Sequence, residues 1–351
     1  LAYYVNTKFA EDDAENLALQ QQYTCGHFVL TNHIDISKWT QWEPIGTEEN
    51  PFVGTFSGNG YSIYGLTIID TVENAATSDY AGLFGVISYV AVDDVIYKPV
   101  IERLGLKDTV IKTNRDYAGA IVGAAYGNEE IITPTYQTKQ EEVTIGENVT
   151  ANRTYSNAQA AVVIQDCYNT GYVEGGNYVG GLAGAVYYGA VIYNSYNAPS
   201  TTNAYNTEFD VYSSNENASG VGGIVGYVDM AVNVAAINNT ISTVKVGKTN
   251  VSNDSTNMGY IIGSKTAIQS YLSRYGRNIF MTRDLSFSND AGTGYAINLL
   301  TSSTLVYDTL NGFSITQYTT DQWASNTNTI WVMQLNANNG LPVLYLSLIH
   351  I

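Results

Sequence analysis

Charge is scarce in this chain. Only 13% of its 351 residues are Asp, Glu, Lys or Arg, and 32 acids stand against 15 bases for a net charge of −17. Such a surface repels the phosphates of nucleic acids and anionic lipid headgroups, so neither is an expected partner. Cysteine is almost absent. Cys25 and Cys167 lie 142 positions apart, which excludes a disulfide framework and a metal site of short ligand spacing. The histidines are His27, His33 and His350, with no HExxH and no GxSxG anywhere; a zinc peptidase or a serine nucleophile elbow would need residues outside this stretch. No apolar run approaches the ~18 residues of a membrane-spanning helix. The best candidate, Ala158–Ile164, is far too short, so direct membrane insertion is not expected.

What is present favours strands. Apolar residues make up 45% of the chain, enough for a substantial core, and Tyr occurs 29 times against 9 Phe. Tyrosine, threonine and asparagine in this proportion suit strands and turns better than helices. The chain opens without Met or a basic, apolar leader, so an export signal or anchor is expected to have been removed or to lie outside this fragment. At the other end Leu346–Ile351 reads LSLIHI, one frame of a common transposon-end sequencing adapter. The natural sequence is therefore expected to stop near Tyr345, and His350 carries no functional weight.

A motif recurs along the chain: YAGLFGVI from Tyr80, YAGAIVGAA from Tyr117, YVGGLAGAV from Tyr178, GVGGIVGYV from Gly220 and NMGYIIGSK from Asn257. The closing glycines Gly85, Gly123, Gly184, Gly226 and Gly263 fall 38, 61, 42 and 37 residues apart. The long interval holds a polar stretch, 126–158, read as an insertion. Between the glycine motifs run IERLGLKDTVIKT, VIQDCYNTGYVEG, VIYNSYNAPSTTN and VNVAAINNTISTVKVG. Most show two short apolar runs around a polar corner. A period near 40 with several short strands per repeat predicts an all-β fold of stacked coils, a parallel β-solenoid. Stacked coils would set Leu83, Ile121, Leu182, Ile224 and Ile261 above one another at the ~4.8 Å strand spacing. The motif glycines Gly82, Gly85, Gly119, Gly123, Gly180, Gly181, Gly184, Gly222, Gly223, Gly226, Gly259 and Gly263 are expected to mark corners, by positive φ or by close packing between coils. Ends need covering. Residues 1–27 are assigned to an N-terminal cap with a short helix over Glu11–Gln22, where Ala14, Leu17 and Ala18 have helical spacing; residues 28–265 are the solenoid; residues 266–345 are an irregular C-terminal cap with a helix near Ser303–Leu310.

The cores GLFG, GLAG and GIVG resemble the GLUG motif of bacterial surface proteins. HIDISKWTQWEPIG from His33 and PFVGTFSGNGYSIYGLTI from Pro51 look like that family's entry segment, and NNGLPVLY from Asn338 like its closing segment. Ala120 and Tyr260 depart from the motif's glycine. The resemblance implies an extracellular, right-handed parallel β-solenoid of adhesin-like or other bacterial surface proteins, in some of them set beside a catalytic domain such as an immunoglobulin A metalloprotease.

Candidate chemistry is thin. VGKT (Val246–Thr249) ends like a phosphate-binding loop but has Ser242 where the first glycine belongs, so a β-turn is the expected reading. GNGYSIYG from Gly58 lacks dinucleotide-loop spacing. His27 and His33 read as ordinary strand residues. Asp12/Asp13 start a helix and Asp93/Asp94 a loop; adjacent strand residues face opposite ways, so neither pair supplies an acid and a base to one site. No catalytic residue, cofactor or dedicated metal ligand is assigned, weak structural calcium on acidic loops apart. Tyr187, Tyr188, Tyr193 and Tyr196 form the one candidate ligand surface, for a host or neighbouring-cell protein or glycan. Paving of strands by tyrosine is the competing account, and the favoured one. The expected function is a non-catalytic surface module, adhesin-like or a spacer; the alternatives are a carbohydrate-active β-helix enzyme and an accessory region of a surface metalloprotease.

Overall fold

Strands of two to eight residues, the lengths found outside the long hairpin, are too short to persist alone and hold by lying against copies of themselves. The computed structural model describes residues 1–71, 76, 78–92, 94–128, 135–145, 149–199, 205–206, 208–229, 237–249 and 257–265, with the strands Gly276–Met281, Ala296–Ile297, Trp331–Met333 and Pro342–Leu344. The helix expected near Ser303–Leu310, most of 266–345, and 346–351 lie outside the described residues. Among the described residues helix is confined to Ala2–Asn6 and Ala14–Thr24, and the rest is all-β.

Each repeat places one strand in each of several parallel ladders. The Tyr-Ala-Gly strands Tyr80–Ala81, Tyr117–Gly119, Tyr178–Gly180, Gly220–Gly222 and Met258–Gly259 form one five-stranded sheet. The strands that follow, Phe84–Ser88, Val122–Tyr126, Ala183–Tyr187, Val225–Asp229 and Ile262–Lys265, form a second. A larger sheet carries two parallel runs. One contains Thr55–Ser57, Val100–Glu102, Val162–Gln165 and Ala190–Tyr193. The other contains Ser62–Tyr64, Gly105–Lys112, Tyr168–Gly175 and Tyr196–Ala198. Ile237–Ser242 pairs with both runs.

The expected aliphatic ladder is present. Leu83, Ile121, Leu182, Ile224 and Ile261 are each buried in one continuous core. Their backbones join in sequence: Ile121 N donates to Leu182 O, Leu182 N to Ile224 O and Ile224 N to Ile261 O, at 2.9, 2.9 and 3.0 Å. Beside it runs a polar rung. Asn169 and Asn197, both fully buried, are register partners; the Asn169 amide donates to Asn197 Oδ1 at 3.0 Å, and Asn197 donates on to Gly223 O at 2.9 Å. Buried amides bonded in this way favour one register over its neighbours, although Asn169 Oδ1 is itself enclosed without a partner.

The repeat glycines work by closeness. None of the twelve has positive φ, which among the described glycines occurs at Gly46, Gly60, Gly65 and Gly189. A Cβ on Gly226 would stand 2.4 Å from Val179 N and 2.6 Å from Gly184 O, both backbone atoms of the preceding repeat. Left-handed corners fall instead on Arg103, Asp166 and Asn194, with φ of 51°, 54° and 45°, at matching points between the two runs of the large sheet. Asp and Asn tolerate this conformation better than other L-residues.

The N-terminal end is closed by an aromatic chain. Tyr4 stacks on Tyr23, Tyr23 on Phe28, and Phe28 meets Phe52, which meets Phe84 in the first glycine motif. The helix expected over Glu11–Gln22 is found at Ala14–Thr24, with Asp13 as its N-cap accepting from Asn16 N. Its expected apolar stripe is not buried: Ala14 and Ala18 are exposed and no residue of that helix is buried. The buried core residue of the cap is Val5 of the preceding short helix, the longer helix adds the partly buried Tyr23, and Asn6 pins the segment by donating to Pro44 O and accepting from Gly46 N.

Gly226→Ala is expected to destabilise the fold by about 1–3 kcal/mol, the usual cost of forcing extra volume into a packed site. Urea unfolding of this variant beside Asn217→Ala, at an exposed position, checks it; a Gly226→Ala midpoint equal to wild type would remove close approach as the reason for the glycines.

Candidate functional site

The outer face of the two five-stranded sheets carries a tyrosine array. Tyr80, Tyr117 and Tyr178 each open a glycine motif and are register partners, so their rings stack at 4.9 and 5.1 Å. A second column, Tyr126 and Tyr187, closes two motifs; those rings lie 4.7 Å apart at an interplanar angle of 3°. Both columns lean over the small outward residues Val86 and Ala124. In the fourth repeat Gly220 stands where a tyrosine would continue the first column, and Tyr227 comes across to lie 5.1 Å from Tyr178 and 5.6 Å from Tyr187.

The phenols pair across the columns. Tyr80 and Tyr126 hydroxyls are 3.3 Å apart, Tyr187 donates to Tyr117 at 3.4 Å, and Tyr80 donates to Glu48 Oε2 at 3.4 Å. Burial pushes the pKa of Tyr80, Tyr117, Tyr126 and Tyr187 upward; the hydrogen bonds across the columns add to this at Tyr80 and Tyr187 and oppose it at Tyr117 and Tyr126. These are neutral phenols at physiological pH.

Two hairpins leave adjacent repeats at one corner beside this array. Val90–Val92 pairs antiparallel with Val95–Tyr97 directly after Phe84–Ser88, around a turn in which Asp94 has φ 65°. Val95 and Ile96 are 48% and 54% exposed. After Val122–Tyr126, Thr135–Ile145 pairs antiparallel with Val149–Gln159 through eleven-residue arms, so the insertion read at 126–158 contains a long β-hairpin. In the third repeat Tyr188 and Gly189 close the same corner as a tight turn, with φ of 50° and 77°.

Of the four tyrosines singled out from the sequence, Tyr187 and Tyr188 lie half-buried at this corner, whereas Tyr193 and Tyr196 are buried, 6% and 4% exposed, and are not a ligand surface. Tyr196 stacks on Tyr168 at 5.0 Å and 3°. Neither does Tyr187 offer an open ring face, being flanked by Tyr126 and Tyr227. The reading from sequence missed Tyr80, Tyr117, Tyr126, Tyr178 and Tyr227. The tyrosine opening three successive motifs was the available signal. It also missed the first hairpin, which the alternation VAVDDVIY around two acids encodes.

Other candidates resolve structurally. VGKT is not a turn as expected; Val246–Lys248 is a strand paired with Val211–Ser213, and Lys248 is buried. His33 Nδ1 accepts from Ser62 N at 3.0 Å and His27 bonds to Thr55. Both cysteines are free, and burial raises the pKa of the Cys167 thiol. Among the described residues no group of three or more His, Cys, Asp or Glu is placed to hold a metal, and no helix is long and apolar enough to cross a membrane. Arg115 and Asp70 form a buried bidentate pair, with Arg115 also donating to Tyr80 O. Burial alone would raise the Asp70 pKa, but the bonds from Arg115 and Thr113 hold it below the ordinary carboxylate value. Asp166, at a left-handed corner, behaves oppositely. Its Oδ1 is enclosed without a protein partner although the residue keeps partial exposure, and burial, aided by Glu102, raises its pKa to about 7 against a bond from Asn194 and the charge of Arg103.

No family model matches the chain. A protein of Evansella cellulosilytica named "Putative Gly-rich membrane protein" is 34% identical over 131 residues, which is 36% of this chain and 13% of that protein. The match thus spans about an eighth of the relative's length. The crystal structure of a "putative immunoglobulin A1 protease" from Bacteroides ovatus superposes with a TM-score of 0.50 over 93% of this chain and 87% of that one, at 16% identity. At that identity the likeness is one of fold.

A carboxyl whose folded-state pKa is raised costs stability once it ionises. Stability is therefore expected to fall as pH rises from the unfolded value near 4 through about 7. Asp166→Asn keeps the acceptor and tolerates φ 54°, and is expected to be more stable than wild type by about 1–3 kcal/mol at pH 8 and indistinguishable at pH 4. Urea midpoints at the two pH values decide; an equal effect at both removes ionisation of Asp166 as the cause.

Proposed function

We propose that this chain is a non-catalytic module of the bacterial cell surface, a right-handed β-solenoid of the GLUG-motif kind that presents one corner to a protein partner. The observation that carries this reading is the emergence of two hairpins from adjacent repeats at one corner, beside a half-buried tyrosine array. Insertions on a repeating scaffold cost its core nothing, and binding residues concentrate on such loops. Right-handed winding is supported by the strong preference of parallel strand crossovers for that hand. A protein partner is favoured over a glycan because stacking covers the ring faces of the array, whereas sugar stacking needs open faces. The exposed apolar Val95 and Ile96 suit a protein surface as well.

Surface placement draws support from the Evansella relative, whose name assigns it to a membrane protein. The name of the Bacteroides ovatus protein lends weight to a second reading, a region accompanying a surface protease. Absence of catalysis in the chain itself is supported by the lack of any HExxH and by the enclosed setting of Asp166, the acid nearest in character to a general acid.

Small-angle scattering of the purified chain is expected to give an elongated distance distribution; a compact, near-spherical one would overturn the solenoid. In parallel, extracellular-matrix proteins, a glycan array, immunoglobulin A1 and a polysaccharide panel are offered to the chain and to a variant whose residues 128–160 are replaced by a tight turn like that at Tyr188–Gly189. Protein retention lost in the variant, without product from any substrate, is the expected result. Product release would overturn the non-catalytic reading, and undiminished retention by the variant would move the site away from this corner.

A further inference from the structure

A phenol is oxidised most readily where its departing proton has an acceptor and where a second ring lies close enough to trap the radical. The pair Tyr126 and Tyr187 meets both conditions. They are register partners on adjacent strands, their rings are parallel within 3° at 4.7 Å, and both are half-buried with edges that reach solvent. The Tyr126 hydroxyl lies 3.3 Å from that of Tyr80, which donates at 3.4 Å to the carboxylate of Glu48, an exposed residue. Tyr187 donates to the half-buried Tyr117. Ring-to-ring steps of 4.9 to 5.6 Å through Tyr80, Tyr117, Tyr178 and Tyr227 connect the rest of the array to this pair.

We propose that Tyr126 and Tyr187 are the site of a covalent dityrosine cross-link, formed when the protein meets a one-electron oxidant of the peroxide-fed haem peroxidase class. Each ring gives one electron to the oxidant and one phenolic proton to its hydrogen-bonded neighbour, Tyr126 by way of Tyr80 to Glu48 and Tyr187 by way of Tyr117 to solvent. The two phenoxyl radicals join through ortho carbons. The ring hydrogens at the new bond then move to the phenol oxygens, which restores both aromatic rings and both hydroxyls. The protein has lost two hydrogen atoms, and the peroxide, taking up two electrons and two protons, has become water. The bond ties the second repeat to the third at the base of the long hairpin, where Gly127 N already donates to Tyr187 O at 2.9 Å. With Cys25 and Cys167 both free, it would be a covalent staple between repeats in a chain without a disulfide.

The test treats the dilute full chain with a haem peroxidase and hydrogen peroxide, follows dityrosine fluorescence, and locates cross-links by mass spectrometry of proteolytic fragments. One intramolecular link between the Tyr126 and Tyr187 fragments is expected. It should be lost in Tyr187→Phe, retained in Tyr205→Phe, and formed more slowly in Glu48→Gln. The pair Tyr168 and Tyr196 is stacked as closely but is only 2% and 4% exposed; it should stay unlinked. Coupling that follows exposure, through Tyr3 or Tyr205 at 62% and 47% or between molecules, would overturn the proposal. So would a wild-type chain that yields no link at Tyr126.

Discussion

Successive repeats approach one another so closely at the closing glycines that only hydrogen fits between their backbones. At Gly184 a Cβ would meet Gly123 O at 2.6 Å and Ala118 N at 2.7 Å, and the same arrangement recurs at Gly226 and Gly263. This approach sets the spacing of the repeats, and the rest follows from it. The aliphatic column Leu83 to Ile261 falls into line because each repeat must sit at the same height and the same rotation as its neighbour. The tyrosines that open and close each motif are carried into columns by the same register.

Register has a chemical consequence on the outer face. Identical side chains at ladder spacing stack ring on ring, which covers their faces, excludes water between them and leaves hydroxyls to bond across columns. An array of this kind is unsuited to gripping a sugar by its face. It is suited to sharing protons and to contacting a partner through edges and hydroxyls. The hairpins rising from Phe84–Ser88 and Val122–Tyr126 enlarge that corner without disturbing the ladder, because each returns to the large sheet in register: Val100 beside Val163, Ile101 beside Ile164.

Charge is handled at the corners. Asp70 is taken out of water with Arg115 as a bidentate partner, an arrangement in which loss of either member would strand a buried charge. Asp166 has no such partner at Oδ1 and meets the cost by holding its proton toward neutrality. The two carboxyls sit in one fold with displacements in opposite directions, and the difference between them is that Asp70 is hydrogen-bonded by a guanidinium whereas Arg103 acts on Asp166 only through its charge.

From its own sequence the chain determined the period, the parallel all-β character, the members of the aliphatic column and the presence of a helix beginning near Asp12 and Asp13, because each depends on residues recurring along the chain or on their immediate neighbours. The reason for the glycines was half legible. Recurrence marked the positions, but only the neighbouring repeat's backbone could choose close approach over positive φ. The tertiary structure alone decided that Tyr193 and Tyr196 are buried while Tyr187 and Tyr188 reach the surface, that Val246–Lys248 is a strand, that the cap is seated by Val5 and Tyr23 rather than by the stripe of Ala14, Leu17 and Ala18, and that left-handed corners fall on Arg103, Asp166 and Asn194. The physical reason is common to all of these. In a stacked structure the surroundings of a side chain are supplied by the repeats before and after it, tens of residues away, and a local pattern carries no information about which of them lies above a given ring.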